Sequence, residues 1–452
     1  MSRIPNQTLR RTLGFFRQGI PVLFIKNDAM FRSLNLPDDY SKLLDEDGSA
    51  IPGLAFGDDE VAAFERFATI LHELRHFHDA LLCRPLFDKF LLQHKITWYT
   101  LQLINRLARY RHLPRQIADP LWDRDPGLAT LKRLLLDADA DLYDRYPELE
   151  TPSLIDGDEI TLDHLLEASA IATEPLHLYS VHGQEAMERY YWKVVTKANG
   201  LYHLLARKFV ALYDGDITFG ASTLYWAVAI SLYGSNTPVQ RFTSLFSDLR
   251  TGQAKIQAVI NAWLLDPFPA EEELKRAVLS EQLQDIESGD PIRVELEFAM
   301  EELAHLPRTL YEARRTLIEL YVKQYGYRGN EYVEHLHVLP TPPILFYPLE
   351  AYNPATIAPA ILEADLKNSL IDYYLIASHD DERGRVALAG LRAVPLTRPC
   401  IRFEVVDTIL FANFCYGYLF EGREQCYSRG VDEQYLSILK KVVLDDSPPP
   451  EP

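Results

Sequence analysis

The sequence predicts a mainly α fold with a small β element near its start, a large helical remainder and a mixed α/β C-terminal region. Three observations predict it. Apolar residues recur at three- and four-residue steps through most of the span from 59 to 325. A β-branched run, "IPVLFIK" at 20–26, precedes them as a short strand. Beyond 330, prolines and β-formers replace the helical period, as in "VLPTPPILFYPLEAYNP".

Taken in order, residues 37–57 are rich in Pro, Gly, Asp and Ser, and "SAIPGLAFG" within them has the makings of a second short strand. Asp58 and Asp59 then read as a helix N-terminus. Val61, Phe64, Ala68, Leu71 and Leu74 give a helix over 59–83. Further helices are predicted at 85–112, 127–143, 161–174, 184–213, 217–233, 238–248, 253–264, 269–285 and 293–325, with "DPFP" and "SGDP" as breaks. The alternation in "CIRFEVVDTILF" (400–411) predicts a strand. The chain of 452 residues has room for about three domains of roughly 150 residues. The expected division is 1–183, 184–330 (helical), 331–444 (mixed α/β) and 445–452, where "DDSPPPEP" reads as a disordered tail.

The net charge of −19 is spread along the chain. That argues against general nucleic-acid binding, because phosphate contacts need clustered Lys and Arg. No run reaches 18 uninterrupted apolar residues, so no membrane span is expected; "ASTLYWAVAISLYG" (221–234) is too short and reads as a buried helix. Arg10-Arg11 before Leu13-Gly14-Phe15-Phe16 is not read as an export signal, because Arg17 and Gln18 interrupt the apolar run. The four cysteines, Cys83, Cys400, Cys415 and Cys426, form no C-x-x-C pair. Such sparse cysteine suits a reducing, cytoplasmic setting.

One stretch carries chemistry. "ATILHELRHFHD" (68–79) contains H-E-x-x-H inside the first long helix. With His72 at zero on a wheel of about 100° per residue, His76 falls at about 40°, so both imidazoles share a face and can reach one ion. Glu73, at about 100°, sits beside them as a base for an attacking water. His78, at about 240°, lies on the far side, and Asp79, at about 340°, is placed to orient a ligand imidazole from behind. The alternative is a pair of satisfied core histidines. A third ligand is sought in "DHLLEASAIATEP" (163–175), a helical segment expected to end at Pro175. Glu167 and Glu174, seven apart, share a face there. Glu167 is the first choice for the ion, and Glu174 the second or a partner for His72 or His76. The plain alternative is two ordinary surface acids. His335 and His337 in "EHLHV" share one side of a strand but have no nearby acidic or sulfur partner.

"HELRH" on a helix, followed by a helix carrying E-A-S-A, resembles the zincin metallopeptidases of the gluzincin type. The resemblance covers about 59–175 and makes 1–183 a zincin-like metallopeptidase region. It implies a Zn²⁺ cofactor held by His72, His76 and Glu167, with Glu73 as general base. Ile171 stands where the family has an Asp four residues after its ligand Glu. The family also implies an oxyanion donor, for which "PLHLYSVHG" offers His177, Tyr179 and His182, although each taken alone reads first as structural. The expected activity is hydrolysis of peptide bonds in a specific protein or peptide substrate, and the large helical remainder suits that dedicated substrate or a regulatory protein partner. The alternatives are a metal hydrolase of another substrate class and a non-catalytic helical interaction protein.

Overall fold

The computed structural model describes residues 14–16, 23–27, 60–114, 117–144, 151–195, 203–269, 271–280, 294–323, 344–348, 403–423, 426 and 429–444. The expected strand within 37–57, the N-cap acids Asp58 and Asp59, His335, His337, Cys400 and the 445–452 tail lie outside those residues. The fold is mainly α, as expected.

The "IPVLFIK" run becomes β2 (Leu23–Asn27), which pairs antiparallel with β1 (Gly14–Phe16). Its other edge pairs in parallel with β5 (Ile344–Pro348), giving the order β1-β2-β5. Helix α1 (Glu60–Leu82) packs against β1 and β2. Cys83 breaks the helix, and Pro85 starts α2 (Arg84–Ala108), because proline's missing N–H costs nothing in a first turn. The last carbonyls of α1 are met by a distant side chain: Arg314 donates to the oxygens of Leu81 and Leu82, the latter at 2.7 Å. That satisfies orphan acceptors that a buried helix end would otherwise leave bare.

After α3 (Pro126–Asp144) comes a hairpin the helical periodicity did not show. Strands β3 (Ser153–Ile155) and β4 (Asp158–Ile160) are joined through Asp156 and Gly157. Both have positive φ, 55° and 85°, as a two-residue primed turn demands. Helix α4 (Leu162–Tyr190) then runs straight through Pro175, where the sequence predicts a stop. Proline removes one backbone hydrogen bond, and here burial of Ile171 through Leu178 holds the segment helical. The backbone kinks instead at Gly183, whose φ is 80°. Residues 191–195 form a π-helical turn.

Helix α5 (Leu204–Leu212) leads to α6 (Ile217–Tyr233), which is capped by Asp216 accepting from Phe219 N–H at 2.8 Å. Helix α6 is apolar on nearly every side and buried almost throughout, as expected of a central helix. It packs closely on α5 at Gly220, where a Cβ would stand 2.9 Å from Val210 Cα. Helices α7 (Pro238–Thr251), α8 (Ile256–Trp263), α9 (Glu271–Ser280) and α10 (Val294–Lys323) follow.

The strand expected at 400–411 is corrected: the chain forms α11 (Phe403–Phe420), followed by α12 (Arg429–Leu444). Residues 408–420 are buried without a break, and a segment buried on all sides shows no period that tells helix from strand. Buried side chains from Ala68 to Val443 form one contiguous core that runs across the boundaries expected at 183 and 330. Within it α1 packs on α4, and α4 on α6. No helix among the described residues is long and apolar enough to cross a membrane.

Candidate metal centre

The site lies where α1 crosses α4. Apolar residues of both helices, among them Leu71, Leu74, Leu165, Ala168 and Ile171, are buried in the common core. Their burial fixes the rotation of each helix, and so turns His72 and His76 toward Glu167. His72 Nε2 lies 3.0 Å from Glu167 Oε2, and His76 Nε2 lies 3.6 Å from Glu167 Oε1. The imidazole rings stand edge to face, 4.6 Å apart and at 88°. One ligand atom from each of the three residues falls within 4.8 Å of the others. Two donors on a tetrahedral zinc at about 2.0–2.1 Å are about 3.4 Å apart; the two His–Glu separations, one to each oxygen of Glu167, fall on either side of that value. The donor set, two nitrogens and a carboxylate, is one that zinc takes.

Glu174 stands behind His72. Its Oε1 is 2.8 Å from His72 Nδ1, and its Oε2 accepts from Tyr190 Oη at 2.5 Å. This fixes the ring so that Nε2 faces Glu167 and His76. Glu174 takes the partner position anticipated for it, and Glu167 is the carboxylate grouped with His72 and His76. Glu73 is buried, at 5% exposure, next to His72 on α1. The side chains of His72, His76 and Glu167 keep 17%, 11% and 21% of their surface, so the group opens to one side.

The electrostatics follow from the geometry. Burial alone would lower the His72 pKa, but the hydrogen bonds and charges of Glu167 and Glu174 outweigh it and raise the value well above that of a free imidazole. Burial would raise Glu167, but the charge of His76 and the hydrogen bond and charge of His72 hold it far below the usual carboxylate range. A cationic centre between these carboxylates is favoured, whether as a proton on His72 or as a metal ion in its place.

Two anticipated roles are corrected. Asp79 does not back a ligand imidazole. It pairs with Arg75, Nε to Oδ1 at 3.1 Å, and accepts a short hydrogen bond from Tyr233 Oη. His76 Nδ1 has no hydrogen-bond partner among the described residues. Tyr179 is not at the mouth of the site. Because α4 continues past Pro175, Tyr179 stands about 140° around that helix from Glu174 and is 42% exposed. His177 is buried on α4, about 60° from Glu174, and is not one of the three clustered donors. The side chain of His182 lies outside the described residues.

No family model, no curated protein and no solved structure matches this chain. The site therefore rests on its own residues.

Three of these were not evident in the sequence. Tyr190 holds Glu174. His203, half-buried just before α5, feels the charges of Glu174 and His72, and burial above all keeps its pKa below the ordinary imidazole value. Arg75, inside the motif itself, is 1% exposed. It donates to Ser169 Oγ at 2.9 Å, Tyr225 Oη at 3.2 Å, Tyr233 Oη at 2.7 Å and Tyr321 Oη at 3.1 Å. These partners sit on α4, α6 and α10, so one guanidinium ties the motif helix to three others. The only sequence signal was a charged residue within an apolar helix face.

Proposed function

We propose that the protein is a zinc-dependent metallopeptidase that cleaves peptide bonds. The observation that carries this reading is the convergence of His72, His76 and Glu167 on one point, with Glu174 bonded to the rear nitrogen of His72. A bound Zn²⁺ would polarise the scissile carbonyl and acidify water. Glu73 takes the proton of the attacking water and returns it to the leaving amine. Glu174, braced by Tyr190, keeps His72 oriented while this happens. Three protein donors on a partly exposed face support an open centre rather than a closed structural one. A peptide substrate is supported by the sheet: β1 is an edge strand among the described residues, and α1 packs against it. An extended peptide pairs readily with such an edge. An acidic chain with few cysteines suits a cytoplasmic enzyme with a dedicated protein substrate or a regulatory partner.

The test is metal content by plasma mass spectrometry on protein never exposed to chelator, beside His72→Ala, followed by cleavage assays on a proteome-derived peptide library. About one zinc per chain, lost in His72→Ala, is expected. Glu73→Gln should keep the metal and lose cleavage. No stoichiometric metal, or full cleavage by Glu73→Gln, overturns the reading.

A further inference from the structure

A separate cavity of about 710 Å³ lies between the C-terminal end of α6, the first turn of α7 and one face of α8. That is the size of a site for a small organic molecule. Ile230, Val259 and the ring of Trp263 give it an apolar floor. Trp263 is 7% exposed, yet its indole Nε1 has no hydrogen-bond partner among the described residues. A Cβ at Gly234, across the cavity floor, would stand 3.2 Å from that nitrogen. With glycine there, the indole edge packs directly against the end of α6 and the ring is held in the cavity floor.

The rim is cationic although the chain carries a net charge of −19. Arg241 and Lys255 line it, and neither makes an ion pair with another described residue. Asp266 is the one acid in the lining. Helix α8 begins at Ile256, directly after Lys255, so the positive end of its dipole adds to the same charge. Unpaired cations above an apolar floor that includes an indole ring match a ligand that is flat and apolar at one end and anionic at the other.

We propose that this cavity binds an aromatic carboxylate, its ring system against Trp263 and its carboxylate between Arg241 and Lys255. The site is separate from the histidine cluster and does not depend on metal there. The probe is 2-naphthoate, titrated calorimetrically into the full chain, with 2-naphthamide as the uncharged ring of the same shape. Saturable one-site binding of 2-naphthoate is expected. It should weaken about threefold or more in Arg241→Gln/Lys255→Gln, since each exposed ion pair is worth up to about fivefold. The amide should be weaker by a similar factor. Both cations are exposed, so the double variant keeps the fold. Absence of saturable binding up to millimolar probe, equal binding by the double variant, or equal binding of the amide overturns the proposal.

Discussion

His94 should make the protein acid-sensitive in a way one substitution removes. It sits on α2 at 7% exposure, and neither ring nitrogen has a hydrogen-bond partner among the described residues. Burial, aided by the nearby charge of Lys95, lowers its pKa from 6.5 to about 3. The neutral form is therefore the one the fold accepts. The stability this gives is fully present above the unfolded value of 6.5 and is lost as pH falls below it, down to the folded value. At pH 5 the unfolded chain is protonated at this position and the folded chain is not. Linkage then puts the loss between pH 7.5 and pH 5 at about 2 kcal/mol. Any folded value below about 4 gives nearly the same figure, because at pH 5 the unfolded pKa alone sets it. His94→Leu abolishes this contribution. At pH 7.5 it should be neutral or stabilising, since it also removes two unsatisfied nitrogens from the core. The assay is urea unfolding of both proteins at the two pH values, which cancels every other titrating group. If wild type and His94→Leu lose the same stability on acidification, the imidazole is not buried neutral and the reasoning fails.

Other outcomes follow from the same contacts. Glu174→Gln and Tyr190→Phe should each weaken zinc binding, the former by about 10–100-fold, as measured by chelator competition with folding checked by circular dichroism. Arg75→Met strands Asp79 in the core and should cost about 3–5 kcal/mol in a denaturant titration, and Arg75→Lys should not restore it, because a lysine cannot reach four acceptors in one plane. Gly220→Val pushes a side chain into the Val210 backbone and should lower stability by about 1–3 kcal/mol.

What could be read from the sequence was what is local. His72 and His76 one turn apart, with Glu73 beside them, follow from helical geometry alone, and the helix is there. The pairing of Glu167 and Glu174 on one face was equally local. Asp79 was misassigned because its wheel position permits two outcomes, and its neighbour one turn back, Arg75, is a buried charge that needed the carboxylate more. Tyr179 was misplaced because Pro175 reads as a stop, and only the packing around it shows otherwise. The β3–β4 hairpin had its Asp-Gly signal in plain view, but the strands beside it are too short to show alternation.

The division of labour proposed for Glu167 and Glu174 has a dimensional reason. Seven residues of helix rise about 10.5 Å. Two carboxylates that far apart along α4 cannot converge on a single ion, but they can grip the two nitrogens of one imidazole from opposite ends. That is what is found: Glu167 at Nε2 and Glu174 at Nδ1 of His72. In the proposed centre the ligand is whichever acid also faces His76, and the height at which α1 crosses α4 decides it. Glu167 is the one His76 meets, so in the proposed centre Glu167 holds the ion and Glu174 orients His72, the order in which the sequence ranks the two acids.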